Sequence, residues 1–392
     1  MMIPSQSYFF FFASFILYTL ASLTSQRDAL LEFKNKFPIN ADPHVYDNLT
    51  SWNTSSDCCS WKGVICEVKS GEVISLVLEY VFLNSSLKSN SSLFKLQRLR
   101  RLSFNSCNLR GELPSSLGNL SHLIDLDPFD NHLVAQIPSS IGNLKQLSYL
   151  SLESNNLTGK IPSSLGNLSR LSDLVLESNY LIGEVPSSIG NLNQLTSLRL
   201  SSNNLSGSIP ITFSNFNKLT HLLLGQNQFS SIDFPRILPN LTTLFELYLN
   251  NNQFKSMLPP PPDFNTSSSS IVTINLAHNN FYGPIPDSIS GFLNLSELDL
   301  SHNSFTGPIP ESMSKFLNLL DLDLSHNSLT GPIHRSISKL VSLASLDLSY
   351  NKLEGQVLSF LWTLYSLKLS HNSFSSLEKS AQLVFRWKTL LA

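Results

Sequence analysis

Three sets of residues in the 392-residue chain have the types and spacing to do chemistry. Cys58, Cys59 and Cys66 form a thiol cluster, and His278, His302 and His326 recur at 24-residue intervals. Carboxylates alternate with leucine in Glu297-Leu-Asp299, Asp321-Leu-Asp323 and Ser345-Leu-Asp347. Zinc would need a second ligand pair beside the cysteines, and the chain supplies none. Calcium would need 6–8 convergent oxygens, which flat columns of carboxylates seldom provide. Ser, His and Asp are plentiful, but they recur with one period, so any apparent triad is a by-product of repetition. No nucleophile motif, P-loop, G-x-G-x-x-G before a helix or kinase segment occurs. The sequence therefore predicts a protein that is not an enzyme and takes no cofactor or metal. A formal charge of −2 and 14% charged residues give no basic surplus to neutralise phosphates, so nucleic acid is not an expected partner.

The element that positions these residues is a repeat. The pattern L-x-x-L-x-L-x-x-N-x-L starts at Leu123, Leu147, Leu171, Leu195 and Leu219 with a 24-residue step, and resumes at Ile271, Leu295, Leu319 and Leu343. Irregular copies start at Val73, Leu99, Leu244 and Leu364. In Leu147-Ser-Tyr-Leu150-Ser-Leu152 the leucines face one side of a short strand, while Tyr149 and Ser151 face the other. The asparagine column (131, 155, 179, 203, 227, 252, 279, 303, 327, 351, 372) marks an inward turn, where each amide can satisfy stranded backbone groups. Cys107 takes that place in the Leu99 copy and reads as structural. Glycines such as Gly159 and Gly183 mark the next turn, and the prolines that follow prevent a long helix. A single repeat cannot offset the entropy of ordering its own backbone, so the array folds only as a stack.

The amino terminus carries an address. Tyr8 to Leu23 is an apolar run shorter than the ~20 residues that span a bilayer, and Ala21, Ser22 and Thr24 supply small residues for cleavage at its end. Residues 1–24 read as a cleaved secretory signal. Asn-x-Ser/Thr sequons at Asn48, Asn53, Asn84, Asn90, Asn119, Asn156, Asn167, Asn204, Asn240, Asn265 and Asn294 agree with export and glycosylation. The clustered cysteines agree with an oxidising compartment.

The repeat L-x-x-L-x-L-x-x-N-x-L-x-G-x-I-P resembles the plant-type extracellular leucine-rich repeat. Trp52 to Cys66 (W-N-T-S-S-D-C-C-S-W-K-G-V-I-C), with Gln26 to Lys34 ahead of it, is similar to the amino-terminal cap of that class. The nearest likeness is to plant receptor-like proteins, cell-surface receptors without a kinase, many of them tied to pathogen perception. The resemblance implies a right-handed α/β solenoid with a concave parallel β-sheet and short helical or 3-10 segments on the convex side. It implies a signal peptide at 1–24, a cap at 25–72, about thirteen repeats over 73–376 and an irregular tail at 377–392. It also implies a peptide or protein ligand on the concave face, a kinase-bearing co-receptor, and the plasma membrane or cell exterior as location.

Departures from the family pattern carry expectations of their own. The family's upstream cap cysteine is missing, so Cys59 and Cys66 are expected to pair and leave Cys58 free. Ser25 to Phe37 reads as a cap helix started by Ser25 and Asp28, with Leu30, Phe33 and Phe37 as its apolar face. Pro128 replaces a core leucine and Ala135 a turn glycine, which predicts a distorted repeat. Met257 to Ser270 is a low-complexity insertion. After Phe374 the pattern dissolves with no second cap and no membrane span, so the sequence reads as a truncated ectodomain. A secreted inhibitor or decoy for a microbial wall-degrading enzyme is the alternative reading.

The middle repeats break the monotony of the outward columns. Tyr149, Glu153, Asp173, Val175, Glu177, Arg199, His221, Leu223, Glu246 and Tyr248 place aromatic and apolar groups beside mixed charge, the composition of an interface. Glu153, Asp173 and Glu177 are expected to take a basic group of the ligand. The histidine column reads either as stacked imidazoles that titrate in an acidic wall space or as a recurrent S-H-N turn.

Overall fold

The computed structural model describes residues 24–37, 49–233, 237, 241–258 and 270–378. Of the expected signal peptide at 1–24 only Thr24 is described; residues 1–23, the stretch 259–269, the tail from 379 and the sequons at Asn48, Asn240 and Asn265 lie outside the described residues. The chain divides into two compact units, Met1–Leu181 and Ile182–Ala392. Each is a leucine-rich-repeat solenoid segment built on parallel strands.

In the first unit, the antiparallel strand Val64–Cys66 pairs with Val73–Glu79, and every later neighbour is parallel. The strands Arg101–Asn105, Asp125–Asp127, Tyr149–Ser151 and Asp173–Val175 follow. Register places Leu76, Leu102, Leu126, Leu150 and Leu174 side by side, all buried. The strands are short because the chain turns inward at the asparagine column. Asn155 shows how that turn is held. Its Nδ2 donates to the carbonyls of Pro128 (3.0 Å), Leu152 (3.2 Å) and Glu153 (3.0 Å), and its Oδ1 accepts the N–H of Leu133 at 3.0 Å. One carboxamide thus satisfies four backbone groups that the sheet ladder does not reach. On the opposite side run the 3-10 segments Ser115–Asn119, Ser139–Asn143 and Ser163–Asn167, each preceded by a proline whose ring fixes the entering φ. These segments stack so closely that a Cβ on Gly142 would sit 2.4 Å from the Ser164 carbonyl oxygen.

The cap closes the first edge. Residues 24–34 are helical, and Ala29, Leu30, Phe33 and Phe37 are buried. Since Thr24 is already helical, Ser25 lies inside the helix rather than at its start, which corrects the capping expectation. Gln26 Oε1 accepts the Val73 N–H at 2.7 Å, so the cap helix saturates the first repeat strand directly. Trp52 stacks on Trp61 at 5.3 Å between ring centroids.

The Leu123 copy is less distorted than expected. Pro128 falls immediately after the strand, and the one visible loss is the third pair toward Tyr149–Ser151, where only Asp125↔Tyr149 and Leu126↔Leu150 remain. Ala135 adopts the left-handed conformation of the glycine it replaces (φ 64°) and keeps its pairing with Leu157. The strain is absorbed in one residue because flanking ladder bonds hold it.

The second unit repeats the design over Ser197–Arg199, His221–Leu223, Glu246–Tyr248, Thr273–Asn275, Glu297–Asp299, Asp321–Asp323, Ser345–Asp347 and Ser366–Lys368, all parallel and in register. Its core carries a run of stacked phenylalanines, Phe229, Phe254, Phe281 and Phe305, with centroids 5.9–6.3 Å apart. Among the described residues, no helix is long and apolar enough to cross a membrane.

Candidate functional site

The sheet face opposite the leucine core is where each strand presents two or three side chains to solvent. On the first unit the columns follow from register. Arg101, Asp125, Tyr149 and Asp173 form one; in the next, Ser103 pairs with Asp127 and Ser151 with Val175, with no ladder pair between Asp127 and Ser151. Arg101 Nε meets Asp125 Oδ2 at 3.1 Å, yet burial outweighs that cation and pushes the Asp125 carboxyl above its usual range. Burial, then the Asp127 carboxylate, likewise raises the Tyr149 phenol. Asp173 is half-buried and its Oδ2 accepts the Ser172 hydroxyl at 2.6 Å. Glu153 and Glu177 are half-buried at the edge of the face, whereas Val175 is only 6% exposed and offers little surface.

On the second unit, Arg199, His221, Leu223, Glu246 and Tyr248 are all half-buried on the sheet face. Arg199 Nε donates to Ser197 Oγ at 3.2 Å, and the Thr220 hydroxyl and His221 Nδ1 lie 2.8 Å apart. His221 Nε2 approaches Glu246 Oε2 at 3.9 Å. Tyr248 extends a feature that reading the sequence copy by copy missed. It joins Asn275, Glu297, Asp299, Asp321 and Asp323 around a depression of about 180 Å³. Burial raises the Asp323 carboxyl in that wall. The alternating carboxylates looked monotonous in each copy, and only alignment of the columns puts Tyr248 against them.

The histidine column is a true stack. His278, His302, His326, Tyr350 and His371 all sit in left-handed backbone (φ 50–56°), a region where histidine is enriched among non-glycine residues. Successive ring centroids lie 3.9, 3.9, 4.1 and 3.9 Å apart, with planes within 13°. Burial, then the neighbouring His278 and His326 rings, holds the His302 imidazole below its usual range.

In the cap, Cys59 and Cys66 form the disulfide, and Cys58 is a buried free thiol. Cys107 is also free and buried; burial pushes its thiol up to about 12. Its sulfur bonds the Leu78 carbonyl at 3.2 Å, doing part of the ladder asparagine's work. Of the candidate glycosylation sites, Asn53, Asn84, Asn90, Asn119, Asn156, Asn167, Asn204 and Asn294 are all exposed.

Comparison with known proteins agrees with this geometry. Residues 23–67 match the Leucine rich repeat N-terminal domain. Residues 294–353 match the Leucine rich repeat family, and 98–120, 146–168, 194–216 and 270–292 match its single-repeat form. The chain is 57% identical over 138 residues to Receptor-like protein 31 of Arabidopsis thaliana, a stretch that is 32% of this chain and 16% of that protein. It is similar to the ectodomain of the Arabidopsis receptor kinase HAESA, solved with an extended IDA peptide hormone (TM-score 0.77, 33% identity, 90% of this chain and 58% of that one). It is also similar to PEPR1 in the PEPR1–AtPEP1 structure (TM-score 0.72, 30% identity, 91% and 51%). The matched stretch is thus a small part of that receptor-like relative and little more than half of the solved ectodomains. With its cap domain, its repeats and these likenesses together, the chain belongs to the leucine-rich-repeat proteins and is homologous to Arabidopsis receptor-like proteins and plant receptor-kinase ectodomains.

Proposed function

We propose that the chain is a ligand-recognition ectodomain of a plant cell-surface receptor-like protein. Its ligand is a peptide or protein, and the candidate contacts form one set on each unit: Tyr149, Glu153, Asp173 and Glu177 on the first, where the buried Val175 adds little, and Arg199, His221, Leu223, Glu246 and Tyr248 on the second. The observation that carries the reading is the half-buried, mixed aromatic and charged face held on rigid, hydrogen-bonded strands. Side chains so held lose little further entropy on binding. The HAESA ectodomain, similar in fold, is solved with a peptide hormone, which supports the same class of ligand here.

The chain supplies recognition rather than chemistry, so signalling passes through a kinase-bearing partner. Pathogen perception and defence are the setting, by kinship with the receptor-like proteins. Eight exposed sequon asparagines support passage through the secretory route to the cell surface. The test selects binders from a displayed random-peptide library on the secreted protein, then measures them on the double variant Asp173→Lys, Glu177→Lys. Charge reversal should weaken binding at least tenfold; unchanged binding would remove this face from the site. A defence role predicts an oxidative burst to microbial culture filtrate in tissue expressing the full receptor and none in tissue lacking it.

A further inference from the structure

One corner of the first unit's sheet face holds an unusual concentration of unsatisfied polar oxygens. Among the described residues, buried side-chain atoms without a hydrogen-bond partner include Ser75 Oγ, Ser103 Oγ, Asn105 Oδ1, Asp125 Oδ1 and Asp127 Oδ1. All five are oxygens on three adjacent strands, Val73–Glu79, Arg101–Asn105 and Asp125–Asp127. Ser103 is 1% exposed although it faces away from the leucine core, and register sets it directly opposite Asp127. Asp127 has no ion-pair partner among the described residues, and beside it the ladder toward Tyr149–Ser151 is one pair short. Buried polar groups in native proteins are almost always paired, so an orphaned cluster marks a place where something else completes the bonding.

What completes it must be rich in donors and positively charged. Arg101 already satisfies one oxygen of Asp125, and the rest of the corner offers acceptors to a partner that brings N–H groups. A metal ion is a poor match, since among the described residues no third metal-ligating side chain converges on Asp125 and Asp127. A guanidinium carries five N–H donors in a flat fork and pairs carboxylates bidentately, which an ammonium cannot. We propose that Ser103, Asn105, Asp125 and Asp127 form a subsite for an arginine side chain of the ligand, lying beside the Tyr149 and Asp173 columns. This rests on the ligand-binding reading above and specifies part of its chemistry. The half-buried carboxylates are reached from solvent, while their inner oxygens gain from small shifts once the cation arrives.

The test uses two synthetic peptide pools of one design, with a fixed central arginine in one and neutral, near-isosteric citrulline in the other. The subsite predicts roughly tenfold or greater preference for the arginine pool, the size of one charged hydrogen-bonded pair. Asp127→Asn should abolish that preference while retaining whatever affinity the citrulline pool shows. The same variant should raise the thermal midpoint of the unliganded protein, because it removes one of two neighbouring half-buried carboxylate charges and its amide can donate to an orphaned oxygen. Ser103→Ala, which removes the hydroxyl without touching charge, should raise the midpoint too. Peptides that bind but ignore both citrulline and Asp127→Asn, while still responding to Asp173→Lys and Glu177→Lys, would overturn the subsite and leave the broader reading standing. No binding from either pool would overturn both. A saturable heat on titrating calcium chloride alone, lost in Asp127→Asn, would make the corner a metal site and overturn the arginine assignment.

Discussion

Replacing Asn155 by Ala removes a carboxamide that serves four backbone groups, and the cost follows from what each group keeps. The Leu152 carbonyl retains Asn179 Nδ2 at 2.8 Å, the Glu153 carbonyl retains the Asp130 N–H at 3.1 Å, and the Pro128 carbonyl retains Asn131 Nδ2 at 3.2 Å. Each of these loses one bond but is not stranded, at about 0.5–1 kcal/mol apiece. The Leu133 N–H loses its acceptor in a buried site, which costs about 1–3 kcal/mol. The sum is about 2.5–6 kcal/mol, a large share of the ~5–15 kcal/mol that typically holds a domain. The measurement is urea unfolding of Asn155→Ala followed by circular dichroism, with native-state hydrogen exchange to locate the loss around residues 128–157. Exposed Lys160→Ala is the control and should stay within about 0.5 kcal/mol. A loss below about 1 kcal/mol would refute the view that the asparagine column, and not leucine packing alone, holds the turn.

Gly142→Ala should destabilise by about 1–3 kcal/mol, because its Cβ meets the Ser164 carbonyl at 2.4 Å and the stacked 3-10 segments must part; a neutral urea midpoint would contradict that packing. Native protein treated with iodoacetamide at pH 8 should label neither Cys58 nor Cys107, both buried with raised thiol pKa, and both should label after denaturation. Fast native labelling of Cys107 would show that the ladder opens there. The depressed His302 pKa means that the folded stack disfavours the proton, even with Asp299 and Asp347 attracting it. Its contribution is complete above the unfolded value near 6.5 and lost as pH falls through the folded value. Thermal midpoints should therefore drop from pH 7 to pH 5, and His302→Asn should flatten that slope. A slope unchanged in the variant would assign the pH dependence elsewhere.

The repeat made most of the fold legible. A 24-residue step with leucines at fixed offsets permits one stacking, and the strands and the asparagine turns followed from it; the buried cap residues Leu30, Phe33 and Phe37 followed instead from the apolar spacing of the helix ahead of the repeats. The cysteine pairing was legible only by likeness to capped relatives, since three nearby thiols leave several pairings open. What could not be read was lateral. The depression beside Tyr248, the five-ring stack from His278 to His371 and the orphaned oxygens around Asp127 exist only when residues one repeat apart are laid side by side. Pro128 and Ala135 show the reverse error. Taken one at a time they predict distortion, but neighbouring copies hold Ala135 at φ 64° and confine the damage to one ladder pair.

The central claim is that the sheet face, and not the 3-10 side, receives the ligand. It is tested most directly by photo-crosslinking a library-selected peptide to the expressed protein and mapping the adducts by mass spectrometry. Adducts should fall on the strands Asp125–Asp127, Tyr149–Ser151 and Asp173–Val175 of the first unit, or His221–Leu223 and Glu246–Tyr248 of the second. Adducts gathered on Ser115–Asn119, Ser139–Asn143 and Ser163–Asn167 would contradict it.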